Sequence, residues 1–168
     1  MTQKKISKYK DPLFVGIDPS YDGFAIMVLD KNENIVEQKL ISTSSKKEAE
    51  ERIIDLEKEF EFIPKIISLH SVFIEGPSFS SNGAFVLQMG ALHYYLRIFF
   101  YKNKIKYKII SPGSLKKFVC GEGKGNAKKE LMLLNVYKRW SVEFHDNNLA
   151  DAYGLARMCL EDYNNGVK

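Results

Sequence analysis

Four acidic residues stand where apolar or helical segments begin or end, and they are the first chemical signal in this chain. Asp18 closes the apolar run of "PLFVGIDPS", and Glu75 closes "SVFIE". Asp146 and Asp151 lie in "HDNNLADAYGLA", where a closely packed helix is expected to start. A carboxylate at the end of an apolar strand is partly desolvated, which is costly unless a cation or metal sits beside it. Each acid also has a plain structural reading. Asp18 can form a turn, Asp146 can cap a helix, and Asp151 suits the positive end of a helix dipole. Two acids on separate strand ends plus an acidic pair on a helix are harder to reduce to such roles. No His or Cys cluster accompanies them, so the donor set is hard oxygen, which favours Mg²⁺ or Mn²⁺ over zinc. Two such ions about 3.5–4 Å apart activate water and stabilise the leaving oxygen of a phosphodiester. The chemistry indicated is metal-assisted phosphodiester hydrolysis.

The elements that must position these acids follow from apolar patterning. "PLFVGID", "GFAIMVLD" and "IVEQKLIS" predict three strands joined by tight connections, an antiparallel meander. Lys46 to Phe60 carries Ile53, Ile54 and Leu56 among acids, which predicts a surface helix. Ser71 to Glu75 predicts a fourth strand stopped by Gly76-Pro77, and a helix follows over about 82–101. "KYKII" predicts a fifth strand closed by "SPG". Two further helices are expected over 128–140 and 147–163. The order indicates an α/β fold, a five-stranded mixed sheet flanked by helices.

Length and composition bound the rest. The 168 residues, 45% hydrophobic and 27% charged, suit one soluble globular domain. Residues 13–168 are assigned to that domain, and the lysine-rich residues 1–12 to a basic, disordered arm without the apolar core of a signal peptide. No run is apolar enough to span a bilayer; the best candidate, from Ala84 to Tyr101, is broken by Gln88, His93 and Arg97. Only Cys120 and Cys159 are present, so no disulfide framework is implied and an intracellular, cytoplasmic setting is expected. Net charge is +4 but unevenly placed, with eleven Lys/Arg between Tyr101 and Arg139 against Glu122 and Glu130. Such a block is ordinarily a solvated face, and it also suits a phosphate backbone. "GEGKG" lacks the GK[ST] ending of a P-loop, so no nucleotide cofactor is expected.

Taken in order, "FVGIDPSYDGFAI", "FIEGPSFSSNGA", "GKGNAKKE" and "DNNLADAYGLA" resemble the RuvC family of Holliday-junction resolvases, especially its smaller phage-type members. The resemblance covers Leu13 to Leu160. It implies an RNase H-like nuclease domain, a homodimer, Mg²⁺ with Mn²⁺ able to substitute, two ions per site, and symmetric cleavage of branched DNA. Asp18, Glu75 and Asp151 match the family's first aspartate, its strand-end glutamate and its last aspartate. Many members carry another aspartate three residues before the last, where this chain has Asn148. Asp146 is therefore assigned the fourth position, with Asn148 as a weaker oxygen ligand. By register, Lys116 and Lys129 match lysines that support catalysis and hold phosphates; Lys117, Lys124 and Lys128 lie nearby. Phe79 matches an aromatic that stacks on a base at the opened junction. The helix bearing Phe85, Leu87, Met89, Leu92 and Leu96 corresponds to the family's dimer region.

Three other readings remain at this point: a different RNase H-fold nuclease acting on flaps, forks or RNA, a junction-binding protein with weak catalysis (raised by Asn148), and an actin-like ATPase. The last requires a duplicated domain for which this chain is too short. Lysine dominance among the basic residues suggests an AT-rich bacterial or phage genome.

Overall fold

The computed structural model describes residues 10–66, 68–77, 83–121 and 129–166, with only the backbone of residues 129 and 130. Its sheet contains β1 (Leu13–Asp18), β2 (Phe24–Leu29), β3 (Ile35–Ile41), β4 (Leu69–Glu75) and β5 (Tyr107–Ile110) in the order β3-β2-β1-β4-β5. The first three strands form the expected antiparallel meander, and β4 and β5 pair parallel beyond β1. The helices are α1 (Ala49–Phe60), α2 (Gly83–Lys102), α3 (Pro112–Cys120), α4 (Lys129–Trp140) and α5 (Asn147–Gly166). Among the described residues, no helix is long and apolar enough to cross a membrane.

β1 is buried throughout, so both of its faces read as apolar and each supports a separate core. Leu13, Val15 and Ile17 point to one side, where Leu56 and Phe60 of α1 and Leu92, Leu96 and Phe100 of α2 cover them. Phe14 points to the other side, among Leu115 and Val119 of α3, Met132 and Val136 of α4, and Tyr153, Leu155 and Cys159 of α5. Alternation along the strand puts Gly16 and Asp18 on this second face as well. In β4 the same parity sets Val72 and Ile74 against Phe73 and Glu75. Each fully buried Leu, Ile or Phe contributes about 1.5–3 kcal/mol, so the two cores fix where the strand ends lie.

α3 was not anticipated, because "SPG" reads as a strand terminator. The Ser111 side chain accepts a hydrogen bond from Ser114 N at 3.1 Å, and Pro112 occupies the first helical turn. The same three residues therefore start a helix, with Ser as N-cap and Pro where its missing N–H costs nothing. α1 begins at Ala49 rather than Lys46, because Glu48 and Glu51 form a reciprocal capping box there.

Candidate metal centre

Parallel pairing of β1 with β4 sets Gly16 opposite Phe73 and Ile17 opposite Ile74. The next pair in this register is Asp18 and Glu75, side by side at the carboxyl ends of adjacent strands. That edge is where open α/β sheets usually form their sites.

The third acid depends on a close approach of backbones. A Cβ on Gly16 would overlap the Ala152 carbonyl oxygen and the Ala156 amide nitrogen. Only glycine lets α5 lie this near β1, and Ala150, Ala152, Gly154 and Ala156, all buried, continue the thin contact surface. Asp151 immediately precedes Ala152 and is thereby carried over the strand ends. One carboxylate oxygen from each of Asp18, Glu75 and Asp151 lies within 4.8 Å of the others. Asp18 is buried, at 7% exposure, and the other two are half-buried.

These acids lie in a cleft of about 290 Å³. On one side stand Asn148 and Asp151 of α5; on the other stand Phe85, Met89 and His93 of α2; Ser20 and Lys116 add polar groups at the edges. The donor set fits a hard divalent cation. Three anionic oxygens converge from three elements, none of them is imidazole or thiolate, and their spacing needs little closing to share an ion at about 2.1 Å.

The other expected site residues divide. Asp146 lies outside the carboxylate cluster. Its Oδ1 accepts hydrogen bonds from Asn148 N at 2.8 Å and Leu149 N at 3.2 Å, which makes it the N-cap of α5. Asn148, three residues before Asp151 and on the same helical face, reaches the cleft and packs on the β1–β2 turn at Gly23. Lys116 is half-buried at the cleft, whereas Lys117 is exposed and not part of its lining. Phe79, Lys124 and Lys128, the side chain of Lys129, and residues 1–9 of the basic arm lie outside the described residues.

Within the helix expected to mediate dimerisation, the five named residues do not share one surface. Leu92 and Leu96 are fully buried in the core, and Phe85 and Met89 line the cleft. Leu87, 76% exposed, faces outward together with Tyr94, Ile98 and Tyr101, and Phe85 at the cleft is itself 45% exposed. In the sequence, His93 interrupts the apolar run from Ala84 to Tyr101. It is 5% exposed and lines the cleft, and burial, then the Arg97 guanidinium, lower its pKa from the ordinary value near 6.5. The available signal was its four-residue spacing from Met89 and Phe85, which puts all three on one stripe.

No family model matches the sequence, and no curated protein matches it. Solved structures do. Thermus thermophilus RuvC bound to a Holliday junction substrate superposes with a TM-score of 0.74 at 17% identity, covering 92% of this chain and 95% of that one. The chain has the RuvC fold. A second Thermus thermophilus RuvC structure gives 0.71 at 18% identity, over 92% of this chain and 96% of that one. The fowlpox virus resolvase, in complex with substrate Holliday junction DNA, gives 0.52 at 15% identity, over 90% and 98%. The RuvC fold accounts for the α/β class, the five-stranded mixed sheet and its antiparallel start, all as the motifs implied, and adds the strand order β3-β2-β1-β4-β5.

Proposed function

We propose that this chain is a structure-selective DNA endonuclease that resolves four-way junctions and other branched DNA by paired nicks from a homodimer. The observation that carries the proposal is the convergence of Asp18, Glu75 and Asp151 within 4.8 Å, at the strand ends of a fold shared with RuvC and a poxvirus resolvase. Asp18, between the strand and helix acids, holds the metals from the floor of the cleft. Glu75 and Asp151 hold them from either side, and Asn148 adds a neutral oxygen in the place first assigned to Asp146. When bound there, two Mg²⁺ or Mn²⁺ ions supply Lewis-acid activation of water and charge stabilisation at the leaving oxygen. Lys116 contacts the phosphodiester from the cleft edge. Lys117, Lys124, Lys128 and Lys129 continue the phosphate contacts, and Phe79 stacks on a base exposed at the branch point. Residues 13–168 act as one nuclease domain, preceded by the basic arm.

Dimerisation is supported by α2. Leu87, Ala91, Tyr94, Ile98 and Tyr101 follow a 4-3-4-3 spacing and are all exposed, as in the seam of two helices packed against one another. Two copies joined there would present two clefts to one junction, which suits symmetric cutting.

A panel of labelled four-way junctions, forks, flaps, duplexes and RNA–DNA hybrids tests the proposal in Mg²⁺ and in EDTA. Metal-dependent, symmetric nicks across the four-way junction are expected. Preferential cutting of an RNA strand, or of flaps and forks alone, would replace the proposal with another RNase H-fold nuclease. A second reading, a junction binder with weak catalysis, is favoured by one observation: the fourth position carries neutral Asn148 while Asp146 caps the helix. Tight junction binding with no nicking above the level of Asp18→Asn would select it.

A further inference from the structure

The turn between β1 and β2 meets α5 at Gly23. A Cβ added there would lie 2.2 Å from Asn148 Nδ2 and 3.8 Å from Asn148 Oδ1, and its three nearest atoms all belong to that side chain. Gly23 is not among the residues with positive φ, so its backbone would accept alanine. What excludes a methyl is the Asn148 amide, held with its nitrogen end toward the turn. The turn itself is firmly tied. Ser20 Oγ accepts hydrogen bonds from Asp22 N and Gly23 N, each at 3.2 Å. Tyr21, 4% exposed, donates its hydroxyl to Gln88 O of α2 at 3.0 Å. The Tyr21 carbonyl accepts from Thr43 N at 3.0 Å and Thr43 Oγ1 at 2.8 Å. Arg52 of α1 lies 4.6 Å from the Tyr21 ring centre and donates to Thr43 Oγ1 and to the Asp22 carboxylate. The turn is therefore braced on α1 and α2, whereas the Asn148 amide is the end of a side chain that can rotate.

We infer that Gly23 is a positioning residue of the metal centre: by giving the Asn148 amide nitrogen its place at the turn, it leaves Oδ1 as the end presented to the cation. The two ends of the amide are not equivalent there. The oxygen is a hard lone-pair donor of the kind Mg²⁺ and Mn²⁺ take, whereas the nitrogen carries only N–H donors and repels a cation. Which end faces the cleft decides whether Asn148 supports or opposes the three acids. The inference rests on the metal-site reading above, with Asn148 as its fourth ligand, and adds a residue that itself supplies no donor atom. It also gives the Arg52–Tyr21–Thr43 brace a task, since the turn orients the amide only while it stays in place. Gly16 and Gly23 thus act differently. A methyl at Gly16 meets the backbone of α5, and one at Gly23 meets a side-chain end.

The test compares Gly23→Ala, Asn148→Ala and the double variant. Mn²⁺ is titrated calorimetrically into DNA-free protein, and each melting temperature is measured in EDTA. Gly23→Ala is expected to melt near the parent, because the methyl turns one amide aside, and to bind Mn²⁺ about 10-fold more weakly. Asn148→Ala should lose a similar amount. The double variant should bind no more weakly than Asn148→Ala alone, because the methyl then displaces nothing. Parent-like affinity in Gly23→Ala overturns the inference, as do losses that add in the double variant. A Gly23→Ala melting temperature far below the parent's also overturns it, since the turn rather than the amide would have yielded. Unchanged affinity in Asn148→Ala removes the amide from the ligand set, and the inference with it, while leaving the three acids in place. A parent chain that binds no Mn²⁺ overturns the metal-site reading and this inference together.

Discussion

The α5 wall of the cleft is made of small residues pressed onto β1, whereas the α2 wall is made of large apolar residues that continue to the outside of the molecule. At the α5 wall, a backbone-to-backbone contact at Gly16 fixes the height of the helix, and Asp151 adjoins that contact through Ala152. At the α2 wall, side chains set the distance. Phe85 and Met89 fill the cleft edge, and the opposite stripe is exposed at Leu87, Tyr94 and Ile98. The difference separates two tasks. The wall that carries Asp151 is locked onto the sheet by backbone contact, and the wall proposed to meet a partner copy is built from large side chains that reach the surface.

The largest effect should come from removing charge at the rigid wall. Asp151→Asn keeps the shape of α5 and deletes one anionic donor. Nicking should fall by about 10²–10³-fold or more, the scale of losing one preorganised electrostatic partner, with junction binding retained. Gel assays of nicking and binding on the same junction measure both. Loss of binding in step with nicking would mean that Asp151 holds the fold rather than the metal.

Gly16→Ala attacks the same wall without touching a charge. The new methyl must displace α5 from β1, at a cost of about 1–3 kcal/mol of unfolding free energy measured by chemical denaturation, together with weakened Mn²⁺ binding. An equivalent small-to-large change at Ala91, on the exposed α2 stripe, should leave stability within about 0.5 kcal/mol. Similar costs at both positions would erase the contrast between the walls.

Charge on the α2 stripe should act on assembly alone. Leu87→Glu with Tyr94→Glu is expected to leave thermal stability near the parent's and shift sedimentation to the monomer. Nicks on the two sides of a junction should then become uncoupled. A parent chain that sediments as a monomer at micromolar concentration would sink the seam.

Much of the α5 wall and the strand floor was legible in the sequence, and little of the α2 wall was. Asp18 and Glu75 could be read because each ends an apolar run, and pairing of their strands brings the ends together. Asp151 could be read from the small residues beside it. His93 could not be assigned, because a helix apolar on all sides carries no amphipathic signal to say which stripe faces a cleft. The five residues chosen for the dimer face were split among core, cleft and surface for the same reason. α3 was hidden by a different ambiguity, since Ser-Pro-Gly both ends strands and starts helices. For the proposed fourth ligand the sequence offers two polar residues, Asp146 and Asn148, and spacing alone does not say which of them local hydrogen bonding occupies. A helix N-cap must satisfy free amides, and Asp146 does so with Oδ1.

The smallest expected effect makes that last distinction measurable. Serine caps a helix about as well as aspartate does, so Asp146→Ser should cost only a few tenths of a kcal/mol, whereas Asp146→Ala should cost about 0.5–2 kcal/mol. Neither should weaken Mn²⁺ binding if the residue serves the helix alone. Asn148→Asp should tighten it, because it places a fourth carboxylate on the face shared with Asp151. The opposite pattern, with Mn²⁺ affinity lost in Asp146→Ser and unchanged in Asn148→Asp, would return Asp146 to the metal. It would also show that the first turn of α5 opens when ions bind, making the rigid wall the one that moves.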